Sequence, residues 1–529
     1  MDKSELPLRA TIDDALEITG FGKFNYLIII FTGLVMNNVY LESIGINFAL
    51  PVLECDLDLT YKQQGILGAV GFIGIIASSH LWGFLADTRG RKRIMRPALF
   101  MGFIVTIISS FSPNFEMLVT MRFISGFLLS AGSATVFAYL GEFHCQRYRN
   151  RAMFSAACIS AFSAIFSPLV AWFYINQSWA FYVPYLDIMY KPWRLYVLAC
   201  GASGLICGLL LFYLPESPKY LLSAGKEANA IEVLKHVYQR NKRGCYSKID
   251  KNNSFNLTGL IPTEDTLIHT TPNCYNKNKV TTLVLSMWHQ TAPLFMHEHL
   301  KKTLLTSLIQ FIIFFSAHGV YIWFPYILNS SMQFTQRYSS SLSLCEILKF
   351  TQSSNFSVAE NKSKSACVDH LEISTYQHSI IFEIIYVSLM LCVSYAISKF
   401  GRKPILFIIF LVSGFSGILA LVIKIPLLAI YFFVILLCCG VGTTVVNAIV
   451  VDIFPTNLRA MAVCISLMVG RIGSVTGSSV LGTLIDNHCT AALHSSASSL
   501  IVAGCLSLFL PKPKSYEIKP QEIIYAVQD

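Results

Sequence analysis

The chain has 529 residues, of which 54% are hydrophobic and only 13% are charged, whereas about 25% charged residues is usual for soluble domains. Apolar runs that almost lack charge, such as Tyr26–Tyr40 and Pro404–Ile423, recur along the chain. A soluble fold cannot bury so many segments that are apolar on every side, but a bilayer accepts each one as a spanning helix of about 20 residues. The composition therefore predicts a polytopic membrane protein.

The net charge of +10 does not indicate nucleic-acid binding. The basic residues lie in short loops between the apolar runs, as is usual for membrane proteins, and they form no basic stripe interleaved with aromatic residues. We therefore expect no nucleic-acid partner. The segment Met1–Gly20 is polar and acidic, which does not fit a cleavable signal peptide.

Hydropathy predicts an all-α membrane protein with twelve transmembrane helices. In the first half these are Phe24–Leu50, Gln64–Leu85, Pro97–Phe111, Glu116–Leu140, Ala152–Ile175 and Trp193–Leu214. In the second half they are Thr303–Leu328, Gln377–Ser398, Pro404–Ile423, Pro426–Val451, Ala460–Ile485 and Ala491–Leu510.

Lys and Arg are distributed unevenly between the two sets of short loops. One side carries Arg89, Arg91, Lys92, Arg93, Arg96, Arg147, Arg149, Arg151, Lys399, Arg402, Lys403 and Arg459, whereas the other carries Lys62, Lys191 and Lys424. The positive-inside rule then places both termini in the cytoplasm. We expect a cytoplasmic N-terminus (1–23), a six-helix half (24–214), a central cytoplasmic loop (215–302), a second half (303–510) with an outer loop (329–376), and a cytoplasmic tail (511–529).

An internal repeat relates the two halves. The segment Gly83–Lys92 after the second span has a weaker copy, Ser394–Lys403, after the eighth. Gly401 lies 311 residues after Gly90, and Asp452, which begins a second repeated motif, lies 310 residues after Glu142. Two independent motifs with nearly one period indicate two six-helix pseudo-repeats of the same orientation.

These motifs resemble the major facilitator superfamily of transporters. The segment Gly83–Lys92 fits the family pattern G-x-L-A-D-x-x-G-R-K closely. More locally, Asp14–Phe24, Pro215–Leu222, Ile309–Pro325 and Gly470–Ser474 resemble the synaptic vesicle glycoprotein 2 group, which is related to the organic cation and anion transporters. The resemblance covers about Ile12 to Pro511.

Two features separate the chain from the nearest groups. The loop 329–376 is too short for the β-rich lumenal domain of the vertebrate vesicle glycoproteins. Cys145 and Asn150 stand where sugar porters usually have proline and glycine, which argues against a plain sugar porter.

The resemblance implies a gating network at the cytoplasmic ends of the helices, which latches the two halves when the site faces outward. Gly83 and Gly90 would allow close helix approach and a tight turn. We expect Glu142 with Arg149, and Asp452 with Arg459, to form pairs between helices. The gating candidates are Gly83, Asp87, Gly90, Arg91, Glu142, Arg149, Gly401, Arg402, Asp452 and Arg459.

Glu42 is the leading candidate for a substrate or proton site. With Asn38, Gly45 and Ala49 it forms a stripe of polar and small residues on the first span, and this span borders the central cavity in the superfamily. A carboxylate at mid-membrane depth costs about 2.5–3.5 kcal/mol on insertion scales. It would either bind a cation or proton, or form a structural hydrogen bond between helices.

Arg471 in the eleventh span keeps its charge, so it either binds an anionic substrate or pairs with a carboxylate. Glu383 would line an outer vestibule or lie at the lipid surface. His318 would relay protons or act as a core histidine, and Arg122 would form a structural charge pair. The remaining site candidates are Gln310, Tyr321, Thr443 and Asn447.

Features of the outer loops give further expectations. We expect glycans on Asn176, Asn329, Asn355 and Asn361, which begin N-x-S/T motifs on the predicted outer side. Cys345 and Cys367 share one outer loop and are candidates for a disulfide bond, as are Cys55 and Cys489, and spacing leaves the pairing open.

We expect no enzyme activity, no cofactor and no metal site, because nucleotide-binding, catalytic and zinc-binding patterns are missing. The leading hypothesis is a secondary transporter of a small organic solute, most simply an organic ion, with protons as a candidate coupling ion. The alternative is a non-transporting component or receptor of the vesicle-glycoprotein kind. The plasma membrane and a secretory or synaptic vesicle membrane both fit, and the oligomeric state stays open.

Overall fold

The structure is a computed structural model and describes residues 8–242, 257–261, 288, 291–338, 341–351, 371–454 and 458–511. Helices dominate it. Twelve of them are long and apolar enough to cross a membrane, which confirms the predicted fold class. We call them spans 1 to 12.

Spans 1 to 6 are Lys23–Leu57, Tyr61–Arg89, Arg91–Ser110, Phe115–Gly141, Gln146–Ile175 and Pro192–Tyr213. Spans 7 to 12 are His297–Gly319, Ile373–Ile397, Arg402–Val422, Pro426–Ile453, Met461–Ile485 and His488–Leu508. Because each half has an even number of spans, span 1 begins and span 12 ends at the same end of the bundle. We call this the termini end and the opposite end the far end.

Several spans are interrupted. Span 1 consists of helices Lys23–Ile44 and Ile46–Leu57, which meet at Gly45. In span 7 the helix His297–Phe314 passes through a π-helical turn, Phe315–Gly319, and a further helix, Phe324–Arg337, continues beyond it. Span 10 changes to a 3-10 turn between Pro426–Leu437 and Gly442–Ile453. Spans 11 and 12 form one helix, Arg459–Leu508, that bends at His488.

The repeated glycines end corresponding helices in the two halves. Gly90 follows span 2 with φ of +103°, and Gly401 follows span 8 with φ of +83°. A side chain is rarely tolerated in this backbone region, so both positions make the tight turn that the repeat predicted. Gly83 differs, because a Cβ atom there would meet nothing within 4 Å. The expected close helix approach at Gly83 is therefore not made in this conformation.

In the described part of the chain, four short strands depart from a purely helical fold: β1 (Leu8–Thr11), β2 (Phe181–Val183), β3 (Ile188–Tyr190) and β4 (Leu257–Ile261). At the far end β2 and β3 form an antiparallel hairpin between spans 5 and 6, with Phe181 opposite Tyr190. At the termini end β1 pairs in parallel with β4.

The β1–β4 pair joins the N-terminal segment to the central loop, which the sequence placed in separate regions. Helices Ile12–Thr19, Pro218–Ser223 and Glu227–Lys242 pack beside it. Its small apolar core contains Ile12, Leu16, Leu221, Leu234 and Leu260. The amide of Asn241 donates to the carbonyls of Thr19 and Gly20, so this core is fastened to the start of span 1.

Candidate functional site

Glu42 lies in span 1 and is buried, with 6% of its surface exposed. Its Oε2 accepts hydrogen bonds from Arg122 Nη1 at 2.9 Å and Ser125 Oγ at 3.1 Å, both in span 4. Its Oε1 accepts from Thr106 Oγ1 in span 3 at 2.6 Å. The carboxylate is thus paired with a cation and with two hydroxyl groups.

The polar stripe of span 1 faces the interior of the N-terminal half. Asn38 accepts from Ser203 Oγ of span 6 at 2.9 Å, and a Cβ atom on Gly204 would lie 3.0 Å from the Asn38 side chain. Two small cavities adjoin Glu42, and spans 1–6 supply all of their lining residues. The expectation that Glu42 and Asn38 line a cavity between the two halves is therefore wrong, because the small residues of the stripe allow span 6 to pack against it.

A second polar cluster does lie between the halves. Glu383 of span 8 is buried, and its Oε1 accepts from Tyr321 Oη at 2.5 Å and from Tyr40 Oη at 3.3 Å. Tyr40 belongs to span 1, whereas Tyr321 directly follows span 7. No Lys, Arg or His of the described chain forms an ion pair with Glu383. The structure thus places Glu383 at the interface between the halves and excludes a position at the lipid surface.

Arg471 lies on the face of span 11 that meets span 2. Its Nη1 donates to Ser79 Oγ at 3.2 Å, and no carboxylate among the described residues lies within ion-pair distance. His318 is close enough to interact with Arg471 electrostatically. The ring of His318 lies against Phe314, with centroids 4.5 Å apart.

Several polar residues of spans 7, 10 and 11 have side-chain atoms without a hydrogen-bond partner among the described residues. Gln310 is fully buried, and a Cβ atom on Gly470 would lie 2.9 Å from its Cγ. The side-chain atoms without a partner include both polar atoms of Gln310, Ser474 Oγ, Thr443 Oγ1 and Asn447 Oδ1. Buried polar groups normally form hydrogen bonds, so these groups need a partner that the described residues do not supply.

Tyr40 and Ser79 are site residues that the sequence analysis missed. Tyr40 precedes Glu42 by two positions, which is about 200° of helical rotation, so the two side chains point to different neighbours. Tyr40 faces the C-terminal half, whereas Glu42 faces the interior of the N-terminal half. The sequence could have indicated Tyr40, because it is a polar aromatic residue on the face of span 1 opposite the polar stripe.

The gating residues at the termini end form pairs within each half. Arg91 Nη2 contacts Asp87 Oδ1 at 2.7 Å and Glu142 Oε1 at 3.0 Å. Burial raises the pKa of Glu142 above its usual value of 4.5, although Arg91 opposes the shift. The loop from span 2 to span 3 is thus tied to the end of span 4.

The expected pairing of Glu142 with Arg149 is wrong. Arg149 Nη2 instead contacts Asp13 at 3.1 Å, because the N-terminal helix lies beside the loop that joins spans 4 and 5. In the second half Asp452 pairs with Arg402, which repeats the arrangement of Glu142 and Arg91. The side chain of Arg459 lies outside the described residues.

The hydrogen bonds that join spans 1–6 to spans 7–12, within the described residues, lie at mid-depth or at the far end. Tyr326 Oη donates to Tyr61 Oη at 2.8 Å, and Tyr376 Oη donates to Asn176 Oδ1 at 2.8 Å. Ser478 Oγ donates to the carbonyl of Gly65 at 3.0 Å. This conformation is therefore closed at the far end.

The expected disulfide bond between Cys345 and Cys367 is wrong. Cys345 is bonded to Cys489, with the two Cα atoms 5.8 Å apart, because the helix at 344–351 packs near the bend between spans 11 and 12. Cys55 is disulfide-bonded as well. Within the described residues, no group of three or more His, Cys, Asp and Glu side chains has metal-binding geometry.

The structure bears unequally on the expected glycans. Asn329 is buried in the helix Phe324–Arg337, and its Oδ1 accepts from the Glu372 backbone nitrogen at 2.9 Å. A glycan needs an accessible amide nitrogen, so this position contradicts the expectation for Asn329. Asn176 is half-buried and donates to the Leu371 carbonyl at 2.9 Å, and its glycan stays a prediction. Asn355 and Asn361 lie outside the described residues.

The comparisons with known proteins agree with this architecture. The sequence profile of the Major Facilitator Superfamily matches residues 27–351 and 342–523, so the chain belongs to this superfamily of membrane transporters. In fold it is similar to the xylose transporter XylE from E. coli in a partially occluded inward-open conformation. That comparison has a TM-score of 0.61 and 16% identity, and covers 93% of this chain and 100% of the other.

Among curated proteins the chain is similar to synaptic vesicle glycoproteins. It is 26% identical to human synaptic vesicle glycoprotein 2B over 328 residues, which are 61% of this chain and 48% of the relative. It is 28% identical to rat synaptic vesicle glycoprotein 2A over 332 residues, 61% of this chain and 44% of that one. The alignments thus span about half the length of these relatives. They confirm the resemblance that the local motifs indicated.

Proposed function

We propose that this protein is a secondary active transporter that moves a small organic solute with an anionic group, and that Arg471 binds that group. The observation that carries the proposal is the guanidinium of Arg471 between spans 11 and 2. Its hydrogen bond in the described structure goes to the neutral hydroxyl of Ser79. No carboxylate of the described protein neutralises it.

Charge is costly at this depth unless a partner compensates it. Arg122, the other arginine deep within a span, meets this requirement through Glu42 at 2.9 Å. Arg471 has no such partner among the described residues. Gln310, whose polar atoms are unpaired, packs against Gly470, the neighbour of Arg471, and the unpaired Ser474 follows Arg471 by three positions on the same helix. A solute with a carboxylate or similar group would satisfy all three.

Alternating access would move the solute. We place the termini in the cytoplasm, which the distribution of Lys and Arg supports, so closure at the far end corresponds to an inward-facing state. The gating residues pair within each half in this state. In the outward-facing state Asp87 and Arg91 would contact the second half and hold the termini end closed.

We infer that Glu42 and Arg122 form the proton-coupling pair. In this state the Glu42 carboxylate accepts hydrogen bonds from the Arg122 guanidinium and from two hydroxyl groups. A helix movement that withdrew Arg122 would leave Glu42 without its ionic partner. One solved neighbour is a D-xylose–proton symporter, with a TM-score of 0.62 and 15% identity, so the fold is compatible with proton coupling.

The alternative is a non-transporting component or receptor of a vesicle or plasma membrane, which the similarity to the synaptic vesicle glycoproteins supports. The Arg471 guanidinium, which no described carboxylate neutralises, favours transport, because a scaffold does not need an uncompensated charge at mid-membrane depth.

The test is uptake into liposomes that contain the purified full chain. Labelled organic carboxylates, neutral sugars and organic cations are compared, with and without an inward proton gradient. We expect uptake of carboxylate-bearing solutes, its loss in Arg471→Gln, and its retention in the control Arg337→Gln, which changes an exposed arginine. Glu42→Gln should abolish stimulation by the gradient.

Uptake that Arg471→Gln leaves unchanged would overturn the assignment of the anion site. Lack of uptake of every solute by folded protein would favour the non-transporting alternative.

A further inference from the structure

We propose that the transported solute is an extended zwitterion whose anionic group binds Arg471 and whose ammonium group binds Glu383. This inference rests on the proposed function and deepens it, because it assigns the substrate class. It depends on two opposite charges at the interface between the halves that the described protein leaves without ionic partners.

Glu383 is a buried carboxylate without a cationic partner among the described residues. It is buried, with 3% of its surface exposed. Both hydrogen bonds to it, from Tyr321 and Tyr40, end on Oε1. Oε2 accepts no hydrogen bond from a described residue. An ammonium group has three N–H donors, so it would satisfy the remaining oxygen.

Span 7 and its extension connect the two charges. Gln310 and Phe314 are four residues apart on one helix face, the ring of His318 lies against Phe314, and Tyr321 follows the π-helical turn Phe315–Gly319. At one end of this face, a Cβ atom on Gly470 would lie 2.9 Å from both Gln310 and Phe314, which places Arg471 at this level. At the other end Tyr321 contacts Glu383.

The distance between the levels of Phe314 and Tyr321 indicates how long the solute should be. Phe314 and Tyr321 are separated by about two helical turns, roughly 10 Å at about 1.5 Å per residue. In an α-amino acid both charged groups are attached to one carbon, which is too close for both contacts. A zwitterion with several carbons between its charges would reach both, with its chain beside Phe314 and His318.

Electrostatics selects the zwitterion over singly charged solutes. A simple carboxylate would neutralise Arg471 but would be repelled by the carboxylate of Glu383. A simple amine would neutralise Glu383 but would be repelled by the guanidinium of Arg471. Since charges interact strongly in a site with little water, a solute that neutralises both has the advantage.

Tyr40 provides a route for the ammonium group. It belongs to the N-terminal half, whereas Glu383 and Tyr321 belong to the C-terminal half. Opening of the far end would withdraw Tyr40 from Glu383 and expose the carboxylate to an incoming ammonium. In the far-closed state the hydroxyl of Tyr40 returns as a donor, so Glu383 stays hydrogen-bonded after release.

The test measures binding to the purified full chain by competition and by thermal stabilisation. The probes are unbranched ω-amino acids from glycine to aminohexanoate, with alkyl carboxylates and alkyl amines of matched length. The variants are Glu383→Gln, Glu383→Asp and Arg471→Gln. The controls are Glu116→Gln and Arg337→Gln, which change exposed residues.

We expect the longer ω-amino acids to bind the wild type at least tenfold more tightly than glycine and than either matched single ion. Glu383→Gln should remove this preference but keep carboxylate binding, whereas Glu383→Asp should partly restore it. Arg471→Gln should weaken binding of zwitterions and carboxylates alike.

Equal binding of carboxylates and zwitterions, unchanged in Glu383→Gln, would overturn the zwitterion proposal and leave the anion transporter intact. Preference for amines, insensitive to Arg471→Gln, would overturn both proposals, as would binding of no probe by folded protein. Because the probe series is compared in the wild type, the proposal is testable even if a variant fails to fold.

Discussion

Glu42 of span 1 and Arg122 of span 4 form an ion pair with 2.9 Å between Oε2 and Nη1, and less than 5% of either side chain is exposed. The pair lies inside the N-terminal half and ties two of its helices together. Thr106 adds a hydrogen bond from span 3. The carboxylate that stood out in the sequence is thus an internal link of one half.

Loss of one member of this pair should be more harmful than loss of both. Glu42→Gln leaves the Arg122 guanidinium uncompensated, and breaking a buried pair in this way costs about 3–5 kcal/mol. We expect Glu42→Gln and Arg122→Gln each to lower the melting temperature clearly in detergent, and the double variant to recover part of the loss. Single variants as stable as the control Glu116→Gln would show that the pair adds no stability.

Asp87 should matter for transport more than for stability. Its side chain is 51% exposed, and its contact with Arg91 crosses the turn at Gly90 between spans 2 and 3. Exposed pairs of this kind are worth at most about 1 kcal/mol. We expect Asp87→Asn to melt close to the wild type. If the substitution removes about 1.4 kcal/mol from the outward-facing state, solute exchange should fall about tenfold. Unchanged exchange rates in liposomes would contradict a latch at Asp87.

The disulfide bond between Cys345 and Cys489 can be tested directly. The bond closes a stretch of 144 residues, and bonds that close long stretches typically add about 2–4 kcal/mol. We expect Cys345→Ser and Cys489→Ser to be equally destabilising, and the double variant to be no worse than either. Peptide mapping without reduction should recover the linked peptides. Cys505→Ser, which changes an exposed free cysteine, is the control, and a peptide that linked Cys345 to Cys367 would refute this pairing.

Glu142 should make stability depend on pH in a defined direction. Burial raises its pKa above 4.5 in the folded state, so folding favours the protonated carboxyl. The contribution of Glu142 to the free energy of unfolding is complete at pH values below its pKa in the unfolded chain. It is lost as the pH rises through its higher pKa in the folded protein. The melting temperature of the wild type minus that of Glu142→Gln should therefore fall as the pH is raised from about 4.5. A difference that grows with pH would show that the pair with Arg91 outweighs burial, and Glu116→Gln should follow the wild type.

The helices and their repeat were predictable because they depend on local properties. Runs of apolar residues define spans independently of what they pack against. Gly90 and Gly401 occupy the same turn in both halves, and the motif spacing alone paired them. The sequence also identified Glu383 and Arg471 as charges that need an explanation.

Partners across the fold were not predictable in this way. Glu42 and Arg122 are 80 residues apart in the chain, and Asn38 and Glu42 looked suited to a central cavity until span 6 was seen to pack on that face. Arg149 could reach Asp13 only because β1 and β4 bring the N-terminal segment beside the loop between spans 4 and 5. Cys345 is bonded to Cys489 because the bend at His488 lies beside the helix that carries Cys345.

The sequence by itself therefore determined the class of protein, the number of spans and the two related halves, because hydropathy and turn residues act over short distances along the chain. Only the tertiary structure decided which charges are neutralised within a half and which face the other half. That distinction depends on the rotation of each helix against its neighbours. It makes Glu42 an internal partner of Arg122, while Glu383 and Arg471 lie at the interface without an ionic partner among the described residues.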